Sequence, residues 1–169
     1  MGVSRGVLQA ARSRASSLLR REFLGAGTLL LAGCGLMGPA KPARVSGSLQ
    51  AAADLNPSVS RRPSPLRVLL YELKSAAAFG KADFMSLYQS DQAALGSEFV
   101  ARDEIVLQPG ESRRYARTLA PETRFIGVLA VYRDLEHATW RAVAPVQPGR
   151  AQQILVRADS LAISLRLEP

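Results

Sequence analysis

Three groups of residues in this chain have the types and spacing to do chemistry. The only cysteine, Cys34, closes an apolar run from Phe23 to Gly33. The only histidine, His137, stands in Asp134-Leu-Glu-His-Ala-Thr-Trp140, where carboxylate, imidazole and hydroxyl are close along the chain. Asp103 and Glu104 form an adjacent carboxylate pair. Acid–base catalysis needs such groups to converge on a substrate in a concave site. Glu136 and His137 instead occupy a short polar connection between two apolar stretches, which reads as a surface turn. Neighbouring strand residues point to opposite faces, so Asp103 and Glu104 cannot easily share a substrate. With one histidine and no cysteine besides Cys34, only scattered carboxylates remain for a metal, and no metal or cofactor is expected. Glycine-rich phosphate loops and a nucleophile elbow are absent.

Cys34 is the informative residue. Arg12, Arg14, Arg20 and Arg21 precede the apolar run, and Ala32 and Gly33 sit beside the thiol, the layout of a secretory signal with its cleavage site. The run is 11 residues long, whereas a hydrocarbon core of roughly 30 Å needs about 20 helical residues. It therefore reads as a removable segment, residues 1–33. The tetrad Leu31-Ala32-Gly33-Cys34 resembles the lipobox of bacterial lipoproteins, in which the cysteine is acylated before cleavage and becomes the first mature residue. Each buried CH₂ contributes about 0.8 kcal/mol, so several acyl chains hold a protein at a membrane where one holds it only marginally. Gly35 follows the cysteine where lipoproteins kept at the inner membrane typically carry Asp, and this favours the outer membrane with the body facing the periplasm. Arg20-Arg21-Glu22-Phe23-Leu24 also resembles a twin-arginine export signal, which leaves two export routes open.

The formal charge of +8 is partly a property of the leader. Without residues 1–33 the chain carries 17 basic and 13 acidic residues, spread without a dense basic block, and nucleic acid is not an expected partner. The remaining 136 residues suffice for one domain with a single sizeable core. No disulfide can form within it, so burial must hold it together.

The elements that position these groups follow from periodicity. Residues 34–44 are broken by two prolines and read as a tether of at most roughly 35 Å. A sandwich domain is expected over 45–169. Val45, Gly47, Leu49 and Ala51 alternate with polar residues as a strand with one buried face. The segment 54–65 holds three prolines and reads as a long exposed loop. Leu66–Leu73 reads as a strand covered on both faces. A small helical insertion is expected at about 75–95, with Ser75 and Asp83 as caps and Phe84, Leu87 and Tyr88 on one face. Strands follow at 105–107, 112–119 and 125–132, the first two joined by a Pro109-Gly110 turn. The last strand turns Leu161, Ile163, Leu165 and Leu167 inward. Trp140 reads as core, and Arg133 and Arg141 as solvated or paired at strand ends. About eight strands with one helical insertion imply an all-β sandwich, because an apolar sheet face must be covered by a second sheet.

Four strings then carry a resemblance. They are Tyr71-Glu72-Leu73-Lys74-Ser75 with Phe79, Asp83-Phe84 and Leu87; Leu107-Gln108-Pro109-Gly110-Glu111-Ser112; Ile126-Gly127-Val128; and Tyr132-Arg133-Asp134 through Ala138-Thr139-Trp140-Arg141. In this order behind a lipobox, the chain resembles the outer-membrane lipoprotein of the type VI secretion system, the TssJ family. The resemblance implies a transthyretin-like sandwich of two antiparallel sheets with a helical insertion between early strands. It also implies a structural job, in which the lipoprotein holds the periplasmic C-terminal part of the inner-membrane protein TssM at the outer membrane. The loop after the first strand is the family's partner-binding element. By position that is Asp54, Leu55, Asn56, Pro57, Ser58, Val59, Ser60, Arg61, Arg62 and Pro63, although none of these belongs to the shared strings. Arg61 and Arg62 are the first candidates for contacts, because arginine is enriched at interfaces and pairs with two acceptors at once. Leu55 and Val59, apolar in a polar loop, come next. The alternatives are a lipid-anchored sandwich that binds a small ligand or another envelope partner, and a periplasmic hydrolase built around His137 and Glu136.

Overall fold

A computed structural model describes residues 41–169 of the chain. The leader, the lipobox residues Leu31, Ala32 and Gly33, the acylation site Cys34 and the sorting position Gly35 lie outside the described residues. The described residues form one compact unit.

Eight strands build two four-stranded sheets. The first has the order β4 (Ser112–Thr118), β1 (Arg44–Ala51), β7 (Ala151–Ala158) and β8 (Ile163–Glu168). The second has the order β3 (Phe99–Leu107), β2 (Leu66–Leu73), β5 (Phe125–Val131) and β6 (Arg141–Pro145). All neighbours are antiparallel except β1 and β7, which pair in parallel from Arg44↔Ala151 to Ala51↔Ala158. Two wholly antiparallel sheets were the expectation. A parallel pair needs a long crossover, and here everything from β2 to β6 lies between the two strands.

Alternation puts one side of each strand into the space between the sheets. Val45 and Leu49 of β1 meet Val68 and Leu70 of β2, Val128 and Ala130 of β5, and Ile154 and Val156 of β7 in the main core. Gly47, between the two buried β1 residues, is required by space, because a Cβ there would lie 1.9 Å from the backbone oxygen of Ile154. Strand β2 is buried on both sides, as its composition implies. Leu66, Val68 and Leu70 face the other sheet, and Leu69, Tyr71 and Leu73 face the helices.

The insertion between β2 and β3 holds α1 (Ala77–Lys81), α2 (Phe84–Leu95) and one 3₁₀ turn (Gly96–Glu98). Asp83 caps α2 as expected, accepting from the Ser86 N–H at 2.9 Å. Ser75 lies one residue before the α1 cap, and its hydroxyl accepts from the Ala77 N–H at 3.1 Å. A second free donor of the first turn, the part-buried Ala78 N–H, is taken by Glu98 at 2.9 Å. At the other end of α1 the guanidinium of Arg141 donates to the carbonyls of Phe79 and Ala82 at 3.0 and 2.8 Å. Arg141 was expected to be solvated or paired; it ties the helix to the sheet instead, stacked 4.7 Å over a half-buried Trp140. Phe79 and Leu87 complete a second core on the outer face of this sheet.

Candidate partner-binding loop

The connection 52–65 carries the chain from β1 in one sheet to β2 in the other, so it must pass over the end of the core. That geometry divides it into a buried base and an exposed apex. Leu55 is fully buried within the main core, and Asn56 is 3% exposed. The Asn56 side chain donates to Pro65 O at 2.8 Å and accepts from the Arg133 N–H at 2.9 Å, which ties the loop to the end of β5. Asn56 adopts φ 45°, a left-handed conformation that asparagine tolerates better than most residues. Ser64 N donates to Leu55 O at 2.9 Å and closes the base. The β3–β4 turn supports it from the side, because Gly110 N donates to Ala52 O at 3.0 Å and Ala51 N to Glu111 O at 2.8 Å.

These contacts correct the reading of 54–65 as exposed throughout. Leu55 had been a candidate partner contact, yet its side chain plugs the core, and Asn56 is a structural staple. A loop crossing the mouth of a sandwich must seal it, and one apolar side chain in such a loop is used for that purpose.

The apex is Ser58 to Arg62. Ser58 N donates to Arg62 O at 2.9 Å, Arg61 N to Ser58 O at 2.8 Å, and Arg62 N to the Ser58 hydroxyl at 3.2 Å. The Ser58 and Ser60 hydroxyls lie 3.0 Å apart. Arg61 sits at φ 58°, where a non-glycine residue pays a backbone strain of about 1–2 kcal/mol. This self-bonded turn leaves Val59 wholly exposed, with Ser60, Arg61, Arg62 and Pro63 exposed beside it. Asp54 is also exposed, and Pro57 and Ser58 are half-buried.

Next to the apex opens a shallow cleft of about 500 Å³, lined by Pro57, Ser58, Val59, Arg61, Arg133, Asp134 and Leu161. The β5–β6 connection and the β7–β8 turn thus share the end of the sandwich with the loop. Sequence reasoning did not place Arg133, Asp134 or Leu161 here, because nothing in their local pattern signals a neighbour about 75 residues or more away.

The other chemistry-bearing residues are accounted for by local structure. His137 is 69% exposed on a turn, its Nδ1 2.9 Å from Asp134 Oδ1, and that bond holds the Asp134 carboxyl below the usual range. Asp103 and Glu104 point to opposite sides of β3. Glu104 pairs with Arg67 at 3.2 Å on the outside, while Asp103 faces β4, accepting from Tyr115 at 2.9 Å and pairing with Arg117. Arg117 also reaches the buried Glu72 at 2.7 Å, and Glu72 accepts from the Ala120 N–H and the Thr123 hydroxyl. This network joins the two sheets along one edge. Among the described residues, no three metal-ligand side chains cluster, and no helix is long and apolar enough to cross a membrane.

A family model described as "Type VI secretion lipoprotein, VasD, EvfM, TssJ" matches residues 43–161. Among curated proteins no relative matches the sequence. Among solved structures, the T6SS lipoprotein TssJ1 from Pseudomonas aeruginosa is 44% identical, with a TM-score of 0.73 over 76% of this chain and 98% of that one. Serratia marcescens Lip, a membrane bound component of the type VI secretion system, is 26% identical, with a TM-score of 0.66 over 75% and 97%. A chain in a structure described as the T6SS protein TssM C-terminal domain from EAEC is 25% identical, with a TM-score of 0.59 over 75% and 98%. The strings that carry the resemblance lie within the matched span and mix buried residues such as Tyr71, Glu72, Val128 and Tyr132 with exposed ones such as Lys74, Arg133 and Asp134. The chain belongs to the type VI secretion lipoprotein family that includes TssJ.

Proposed function

We propose that this chain is a structural lipoprotein of the type VI secretion membrane complex, anchored in the outer membrane by acyl chains on Cys34 and facing the periplasm. Residues 1–33 are its cleaved leader and residues 34–44 its tether, the last of which opens β1. The sandwich holds the periplasmic C-terminal domain of a TssM-like inner-membrane protein through the exposed and half-buried part of the loop: Asp54, Pro57, Ser58, Val59, Ser60, Arg61, Arg62 and Pro63. It performs no catalysis.

The observation that carries this reading is the apex turn. A wholly exposed valine between two hydroxyls, followed by two exposed arginines, is held by a set of internal hydrogen bonds on a base fixed in the core. An exposed valine beside two arginines offers a partner both apolar and charged contact, and a preformed loop loses little further entropy when it binds. The related chain in a structure named for a TssM C-terminal domain supports the choice of partner.

Calorimetry on the purified soluble domains tests the proposal. Replacing residues 57–63 by a Gly/Ser linker of equal length should weaken binding at least tenfold, about 1.4 kcal/mol, with circular dichroism unchanged because Leu55 and Asn56 remain. A folded, loop-replaced protein with undiminished affinity would place the interface elsewhere.

A further inference from the structure

The two sheets differ on their outer sides. Helices α1 and α2 cover much of the β3-β2-β5-β6 sheet. No element of the described chain covers the outer face of the β4-β1-β7-β8 sheet, whose outward residues, apart from the half-buried Leu155, are polar or small and largely exposed. Four exposed arginines stand on it: Arg44 on β1, Arg114 on β4, Arg157 on β7 and Arg166 on β8. The opposing carboxylate on these strands is Glu168, and of these four arginines only Arg157 has an ion-pair partner among the described residues, Asp159 at 3.3 Å.

The strand register spaces these charges. Arg114 faces Ser48, Ser48 faces Leu155, and Leu155 faces Arg166, so Arg114 and Arg166 close the two ends of one row across the sheet. Three strand spacings put them about 14 Å apart. Arg44 lies four residues along β1 from Ser48, about 13 Å away. The result is a broad cationic surface with its charges too far apart to be neutralised by one small anion. A layer of anions matches it.

We propose that this face lies on anionic phospholipid headgroups of the membrane that holds the anchor. The inference rests on the reading of Cys34 as the acylated residue. Arg44 lies ten residues along the chain from Cys34, a reach of at most roughly 35 Å. Strand β1 is only about 26 Å long, so the whole face is within range of a membrane anchored at Cys34. The tether enters at the Arg44 end of β1, and the candidate partner loop leaves from the Ala51 end. None of its apex residues belongs to the cationic face, so headgroup contact and partner contact use different surfaces.

The test uses the unacylated chain from Cys34 to Pro169, which contains the whole compact unit, so that the face is measured without its anchor. Co-sedimentation with phosphatidylglycerol–phosphatidylethanolamine vesicles should exceed that with phosphatidylcholine vesicles at least tenfold at low salt, and most of the difference should vanish at high salt. The double variant Arg114→Glu/Arg166→Glu should lose the preference. Lys74→Glu/Lys81→Glu, with the same charge change away from this face, should keep it. Circular dichroism checks folding, and Arg114→Gln/Arg166→Gln replaces the first variant if that unfolds. Equal binding to both vesicle types, equal loss in both charge variants, or stronger binding to peptidoglycan sacculi than to anionic vesicles would each overturn the proposal. Palmitate labelling in cells reads the anchor separately, so the two failures are distinguishable.

Discussion

Gly127 has no side chain at the point where the ring of Phe79 rests: a Cβ there would lie 2.9 Å from Phe79 Cζ and 3.1 Å from Leu73 Cδ1. The missing side chain on β5 is the seat of α1. Phe79 is fully buried and packs on Tyr71 with ring centroids 5.5 Å apart, while Arg141 holds the carbonyls at the end of the same helix. Residues from three of the strings that betray the family are therefore parts of one joint between helix and sheet.

Phe79→Ala should cost about 3–5 kcal/mol, the range for an emptied aromatic site. Gly127→Val should cost about 1–3 kcal/mol by forcing the ring and α1 outward. Chemical denaturation measures both. In the double variant the losses should be less than additive, because the valine occupies part of the space that the ring leaves.

Asn56 links the loop base to two backbone groups, Pro65 O and Arg133 N. Asn56→Ala leaves both without their partner and should destabilise the domain by about 1–3 kcal/mol. Asn56→Gly relieves the φ of 45° yet loses the same bonds, so it should recover only the smaller, conformational part of the loss. Thermal melts of the three proteins separate the two contributions.

At the apex the expected effects reverse. Arg61→Gly removes the strain at φ 58° and adds chain entropy to the unfolded state, and these nearly cancel, leaving stability within about 1 kcal/mol of wild type. Val59→Asp should also leave the melt unchanged. Both should weaken binding to a TssM-like periplasmic domain by at least tenfold in calorimetry. Leu55→Ala, four residues before Val59, should instead cost about 2–5 kcal/mol of stability.

Acid should weaken the join between the sheets at Asp103. The Arg117 guanidinium, with Tyr115, holds the Asp103 carboxyl below the ordinary aspartate range, and the Arg117 pKa is raised in turn. A depressed folded-state pKa means that the stabilisation is complete above the unfolded value and is lost as the pH falls through the folded one. Asp103→Asn should lower stability at neutral pH and flatten the decline below about pH 4. Denaturation midpoints from pH 7 to 2 check this; parallel curves for the two proteins would contradict it.

On the reading of Cys34 as the acylated residue, Cys34→Ala should leave the sandwich folded and abolish lasting membrane anchorage, leaving only the salt-sensitive contact of the cationic face. Radiolabelled palmitate still entering this variant would remove the lipobox assignment, and the anchor with it.

The sequence by itself determined the elements whose pattern is local. Alternation marked β1 and β8, double-sided burial marked β2, Asp83 marked the start of α2, and Pro109-Gly110 marked the turn between β3 and β4, because each depends on neighbours within a few residues. It also located the loop, since three prolines between two strand patterns allow little else. Tertiary structure alone decided what the loop does with each residue. Leu55 and Val59 look alike in the sequence, but the chain crossing between sheets turns one into the core and the other into water. Arg141 likewise reads as a surface charge until α1 folds over its sheet and offers two carbonyls. The parallel pairing of β1 with β7, and with it the row of charges from Arg114 to Arg166, joins residues far apart in the chain. Local periodicity fixes which way a side chain alternates, and only long-range packing fixes what stands opposite it.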